Sequence, residues 1–169
     1  MNYALDKDGY YEMIFATGPE YWGDQISEKF GLSELEKATL SSYLSFMHPE
    51  KLEMFSLQVL RSPRVYLEPF IDNELEEFGD EMFAVTYQDI FDKTVSGTRS
   101  RMILYTSFVQ LLKGMSKEDR LKQYKALGVK FDEKEDKKTR REKLYTSYLT
   151  RIRGMKENQF QSYMSKGLF

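Results

Sequence analysis

Leu104-Tyr105-Thr106-Ser107-Phe108-Val109 decides the fold, because it returns forty residues later as Leu144-Tyr145-Thr146-Ser147-Tyr148-Leu149. The match continues downstream, where Leu112-Lys113-Gly114-Met115 aligns with Ile152-Arg153-Gly154-Met155, and upstream, where Arg101 and Arg141 occupy the same place. Each copy sets its leucines and aromatics at i, i+4, i+5 and i+8, which lines one side of an α-helix. Gly114 and Gly154 then fall where a left-handed residue closes a helix. Ser116, followed by Lys117-Glu118-Asp119, is a cap with acids in the next first turn. Each copy therefore reads as a helical hairpin. Two copies make a pseudo-symmetric pair and are too few for a solenoid. Ser42-Tyr43-Leu44 ahead of Met47-His48-Pro49 is a fainter third echo.

After the first copy, Gly128 closes a helix over Lys117 to Leu127, and Asp132 to Lys138 leads into a basic helix from about Thr139 to Arg153. The terminal Leu168-Phe169 has the look of a docking peptide but lacks an upstream Gln, so packing on the chain's own core is expected.

Before the first copy, Ser96-Gly97-Thr98 reads as a break. Residues 62–70, with Pro63 and Pro69, read as a linker. Between them Phe70, Ile71, Leu75, Phe78, Met82, Phe83, Val85, Ile90 and Phe91 form the expected inner side of one or two acidic helices. Pro49 suits a helix first turn, with Leu52, Phe55, Val59 and Leu60 on one stripe after it. Gln25 to Phe30, the turn Gly31-Leu32-Ser33 and Glu34 to Met47 have helix-turn-helix spacing, with Ser33 as N-cap. The would-be recognition helix begins Glu34-Leu35-Glu36, which phosphates repel, so packing is the expected role. At the start, Asp6-Lys7-Asp8-Gly9 between Tyr3-Ala4-Leu5 and Tyr10 to Phe15 reads as a β-hairpin turn. The same stretch fails as a calcium loop, since Ala4 and Phe15 would stand at ligand positions.

The fold class expected is mainly α: a bundle of helical hairpins with a 40-residue internal repeat and a small N-terminal β-hairpin. The net charge of −2 conceals an opposition between an acidic lobe, 1–95, and a basic lobe, 96–169, within one compact domain. Residues 1–95 carry a net of −12 and residues 96–169 a net of +10. Glu68 to Asp92 holds nine carboxylates and no Lys or Arg, whereas Lys137 to Lys156 holds eight basic residues against Glu142 alone. Such asymmetry points either to pairing between the lobes or to separate external partners.

Chemistry has little to work with. There is no cysteine and one histidine, which excludes disulfides, cysteine nucleophiles, thiolate zinc and multi-histidine metal sites. No Gly-rich phosphate loop or nucleophile elbow occurs, and His48 before Pro49 reads as a cap or surface residue. No catalytic residue, metal ligand or cofactor is assigned. With apolar runs of at most four residues, no membrane span is expected, nor does the start resemble a signal peptide. A cytoplasmic or virion location follows.

The expected function is a non-catalytic adaptor. Lys137, Lys138, Arg140, Arg141, Lys143, Arg151, Arg153 and Lys156 are the candidate residues for nucleic acid or another anionic surface. Glu74, Glu76, Glu77, Asp80 and Glu81 are the candidate face for a protein partner. Abundant Lys, Glu, Phe, Tyr and Met with few prolines suit an AT-rich bacterial or phage genome, so a bacteriophage setting is expected. The alternatives are an inhibitor that blocks a host DNA-binding enzyme by acidic mimicry, and a virion or assembly component.

Overall fold

A computed structural model describes residues 18–71 and 79–169. The described residues are mainly helical and contain no strand. The N-terminal hairpin expected at 2–16 lies outside them. The chain divides into two compact units, Met1–Asn73 and Glu74–Phe169. The division falls well before the change of charge at 95/96, so most of the acidic tract belongs to the same unit as the basic helix. Counted by unit, the net charges are −6 and +4. Half of the apparent opposition is internal to the second unit.

The first unit is four helices: α1 (Pro19–Phe30), α2 (Glu34–Leu44), α3 (Pro49–Leu60) and α4 (Arg64–Ile71). Local signals set three of their starts. Pro19 occupies the first turn of α1, which therefore begins earlier than the expected Gln25. Ser33 caps α2 in a complete capping box: its Oγ accepts from the Glu36 N–H and Glu36 accepts from the Ser33 N–H. His48 caps α3, with Nδ1 accepting from the Glu50 N–H at 3.4 Å. Ile26, Leu40, Leu44 and Leu67 are fully buried, and Trp22, Leu52, Val59 and Ile71 complete the core. Each aliphatic side chain so buried contributes about 1.5–3 kcal/mol.

The expected linker at 62–70 is instead α4, which carries Pro69 in its interior. Tertiary packing overrides the proline: Leu67 and Ile71 enter the core, and Arg64 donates to the Phe30 carbonyl, Glu36 and Glu68. Glu36, nearly inaccessible at 4% exposure, therefore caps α2 and also pairs with Arg64 at 2.6 Å. The turn and second helix with helix-turn-helix spacing are tied into the bundle by this residue, which points inward rather than toward a ligand.

The described part of the second unit opens with two 3₁₀ turns, Gly79–Ala84 and Gln88–Ile90, at positions where acidic helix was expected. Val85 and Ile90 are buried, whereas Phe83 and Phe91, expected inside, are exposed. Four helices follow: α5 (Val95–Lys113), α6 (Lys117–Leu127), α7 (Lys137–Arg153) and α8 (Glu157–Lys166). The break expected at Ser96-Gly97-Thr98 is the first turn of α5, capped by Thr94. Glycine serves close approach there: a Cβ on Gly97 would lie 2.3 Å from the Asp92 carbonyl oxygen.

Both hairpin turns depart from the left-handed closure expected of them. Gly114 has φ −84° and Gly154 φ −82°, both right-handed. Tight bonds from Met115 N–H to the Leu112 carbonyl and from Met155 N–H to the Ile152 carbonyl end the helices, so no positive φ is required. Left-handed glycines close α1 (Gly31), α6 (Gly128) and α8 (Gly167). Gly128 and the Ser116 cap of α6 stand where the sequence places them.

Candidate nucleic-acid interface

Helix α7 is anchored at its start by Asp136, whose carboxylate accepts from the Thr139 N–H at 2.7 Å. Hydrogen bonds from the Thr139 side chain and backbone hold this carboxyl below the usual aspartate range. Leu144, Tyr145, Tyr148, Leu149 and Ile152 form its buried stripe. At 100° per residue, Arg140 and Arg151 share one flank of the helix, Arg153 lies on the opposite flank, Lys143 faces away from the stripe, and Lys137, Lys138 and Arg141 stand above it. The cations thus surround the helix. Lys137, Lys138, Arg140, Lys143, Arg151, Arg153 and Lys156 are exposed, and Arg141 is half-buried.

Several of these cations also serve the fold. Arg140 donates to the Asp132 carbonyl at 3.1 Å and lies over the Phe131 ring, fastening the loop before α7. Lys143 pairs with Glu135. Arg153 donates to the Ile90 carbonyl at 3.3 Å, holding the second 3₁₀ turn. The Arg141 carbonyl accepts from the Tyr105 hydroxyl at 3.2 Å. Arg151 covers the Phe169 ring at 5.6 Å. Carbonyl and ring contacts leave the charges uncancelled, so the helix still presents cations to water.

On the acidic side, Glu74, Glu76 and Glu77 and the Asp80 side chain lie outside the described parts. Glu81 pairs with Arg99 of α5 at 3.1 Å, with both side chains partly exposed. Asp89 accepts from the Thr86 N–H and Asp92 from the Thr94 N–H, both at 2.8 Å. The backbone and hydroxyl of Thr94 hold the Asp92 carboxyl below its ordinary range. These carboxylates are fixed at turns and a helix start, and one of them is paired at home.

The sequence reading placed Arg101, Tyr105, Tyr145 and Tyr148 in the repeat without a polar role for them, and did not single out Lys166. Arg101 is buried at 7% exposure and donates to the Asp89 and Asp92 carbonyls and to Thr98. It is also hydrogen-bonded to Tyr145. Burial lowers its pKa, with Tyr145 acting in the opposite direction, yet a guanidinium remains charged at any ordinary pH. Tyr148 and Tyr163 join hydroxyls at 2.8 Å in the interior. Burial pushes the phenols of Tyr105, Tyr148 and Tyr163 well above the usual tyrosine range. They are fixed neutral groups that position α5, α7 and α8.

One cleft of about 240 Å³ combines cations with neutral polar groups. Arg151 of α7 and Gln159, Ser162 and Lys166 of α8 line it, over a wall made by Met155, Tyr163, Leu168 and Phe169. The signal was available in the sequence: Gln159, Ser162 and Lys166 recur at i, i+3 and i+7, a polar row beside the buried Phe160 and Tyr163. Phe169 stacks on Tyr163 at 4.7 Å and meets Phe108 at 5.5 Å, so the terminal pair packs onto its own unit. Among the described residues no group of three His, Cys, Asp or Glu is placed to hold a metal ion, and no helix is long and apolar enough to cross a membrane. No family model matches the chain, and no curated protein or solved structure matches it.

Proposed function

We propose that the protein is a non-catalytic adaptor that binds nucleic acid through the second unit, with α7 as the main cationic element. The observation that carries this reading is the exposure of seven of the eight basic residues between Lys137 and Lys156, with Glu142 as the sole acid among them. Phosphate binding needs such positive charge at the surface and no particular fold, because its free energy comes from released counterions. The first unit, at a net of −6, is the part suited to a basic or polar protein partner, and Met54 and Val65 stand exposed on α3 and α4. A bacteriophage setting rests on composition. Acidic mimicry of nucleic acid draws less support, since the described carboxylates Glu81, Asp89 and Asp92 are engaged within their own unit.

The two hairpins of the second unit are, in this reading, copies of one element in which one copy acquired charge. Equivalent positions meet each other in support of this: Tyr105 lies against Tyr145 at 5.0 Å and Phe108 stacks on Tyr148 at 4.9 Å. Each tyrosine also makes a polar contact with the other copy's arginine residue, Tyr105 with the Arg141 backbone carbonyl and Tyr145 with the Arg101 side chain.

The test is affinity against salt for a labelled duplex. Lys138, Arg151 and Lys156 together changed to Gln should flatten the slope of log affinity against log salt by up to about 2.7 units, at about 0.9 per phosphate contact. Melting temperature should fall only slightly, since all three side chains are exposed even though Arg151 gives up its contact with the Phe169 ring. Absence of binding at low salt, or an unchanged slope, would overturn the proposal.

A further inference from the structure

The cleft between α7 and α8 is a second kind of feature from the cations that surround α7. Arg151 and Lys166 are the charged side chains of its lining, and no acidic side chain is among them. Gln159 and Ser162 add an amide and a hydroxyl, groups that pair with base edges and with phosphate oxygens alike. The wall is apolar and partly aromatic, and it is held in place: Phe169 stacks on Tyr163, and Gln123 accepts from the Phe169 N–H and donates to its carbonyl. At about 240 Å³ the space suits one nucleotide unit rather than a stretch of duplex. Duplex bases stay stacked and paired, whereas a single strand can present one base sideways to a pocket.

The forty-residue offset sharpens the point. The residue aligned with Arg151 is Leu111, whose side chain lies so close to Gly167 that a Cβ there would come within 2.9 Å of it. One position, itself partly exposed, reaches Gly167 as Leu111, while its counterpart lines an open cleft as Arg151.

We infer that this cleft is a nucleotide-binding subsite for single-stranded nucleic acid. A backbone phosphate meets Arg151 and Lys166, and the attached base lies along the apolar wall with its polar edge toward Gln159 and Ser162. The inference rests on the nucleic-acid reading above and narrows it to one strand form and one place.

Fluorescence anisotropy with a labelled twelve-nucleotide single strand, the duplex of the same length and a free mononucleotide as competitor tests it. Ser162→Leu fills the cleft without changing charge. It should weaken single-strand binding by tenfold or more, leave duplex binding within twofold and leave the salt slope alone. Arg151→Gln with Lys166→Gln should weaken single-strand binding and reduce its salt slope by up to about 1.4 units, at about 0.7 per phosphate on a single strand. Lys137→Gln with Lys138→Gln removes equal charge elsewhere and should spare competition by the mononucleotide. If Ser162→Leu leaves single-strand affinity within twofold and both double variants act alike on both strand forms, the cleft is only part of a diffuse positive field. That outcome overturns the subsite and leaves nucleic-acid binding intact. Failure to bind either strand form at low salt overturns the nucleic-acid reading and the subsite with it.

Discussion

The two units solve the same packing problem with different side chains. The first buries aliphatic residues around Trp22, and the buried charge among its described residues is Glu36, which is satisfied by a cap and by Arg64. The second buries Tyr105, Tyr145, Tyr148, Tyr163, Phe108 and Phe160, and directs tyrosine hydroxyls to Arg101, to the Arg141 carbonyl and to one another. An aliphatic core gains by area alone and tolerates small shifts, whereas a hydrogen-bonded aromatic core specifies angle and register.

The sharpest way to break the comparison is Gly97→Ala. Its methyl would collide with Asp92 backbone rather than with a side chain that could turn away. A loss of about 3 kcal/mol is expected in chemical denaturation, and fluorescence of Trp22, the sole tryptophan, shows whether the first unit shares it. A loss under about 1 kcal/mol would mean that the α5 start moves freely. Next comes Glu36→Gln, which keeps a capping side chain but removes the charge facing Arg64. It should cost the first unit about 1.5–3 kcal/mol, the range of a charge-assisted hydrogen bond, and Glu36→Ala should cost about 1 kcal/mol more through the cap. Equal losses for the two variants would assign everything to the cap.

Alkaline titration separates the cores by chemistry. Phenols whose pKa is raised in the folded state stabilise it fully below the unfolded tyrosine pKa, about 10, and that stability is lost as pH rises beyond it. Denaturation midpoints of the second unit should therefore fall above about pH 10, with the tyrosinate absorbance of Tyr105, Tyr148 and Tyr163 appearing together with unfolding. Early absorbance from Tyr105, Tyr148 and Tyr163 in a folded chain would contradict their burial. The smallest effect divides two glycines: Gly128→Ala, at φ +70°, should cost about 1 kcal/mol. Gly114→Ala, right-handed and with no neighbour nearer than 3.7 Å, should cost less than about 0.5 kcal/mol or stabilise.

What the sequence disclosed was what neighbours in the chain decide. Ser33, Pro49, Ser116 and Gly128 act within one turn of helix, and their elements begin or end where expected. Arg64 and Gly97 act through distant partners, Phe30 and Glu36 for one and the Asp92 backbone for the other. The helices they start read accordingly as a linker and a break. Of the candidate interface, the exposure of the α7 cations followed from the stripe they surround, but their attachment to Ile90, Asp132 and Phe131 depends on long-range folding. The cleft was hidden because Lys166 is one lysine on a short helix until Arg151 is placed beside it.

Arg101 also determines where this polypeptide can be divided. A fragment cut at the change of charge, beginning at residue 96, would retain the basic helix and both hairpins. It would lack the Asp89 and Asp92 carbonyls that accept from this guanidinium, the Thr94 cap of α5 and the buried Ile90. A buried cation left with Thr98 and Tyr145 alone of its partners draws water into the interior, so such a fragment should expand and expose its tyrosines. A fragment beginning at Glu74 keeps every one of those partners, and the acidic turns are in that sense a structural part of the basic half.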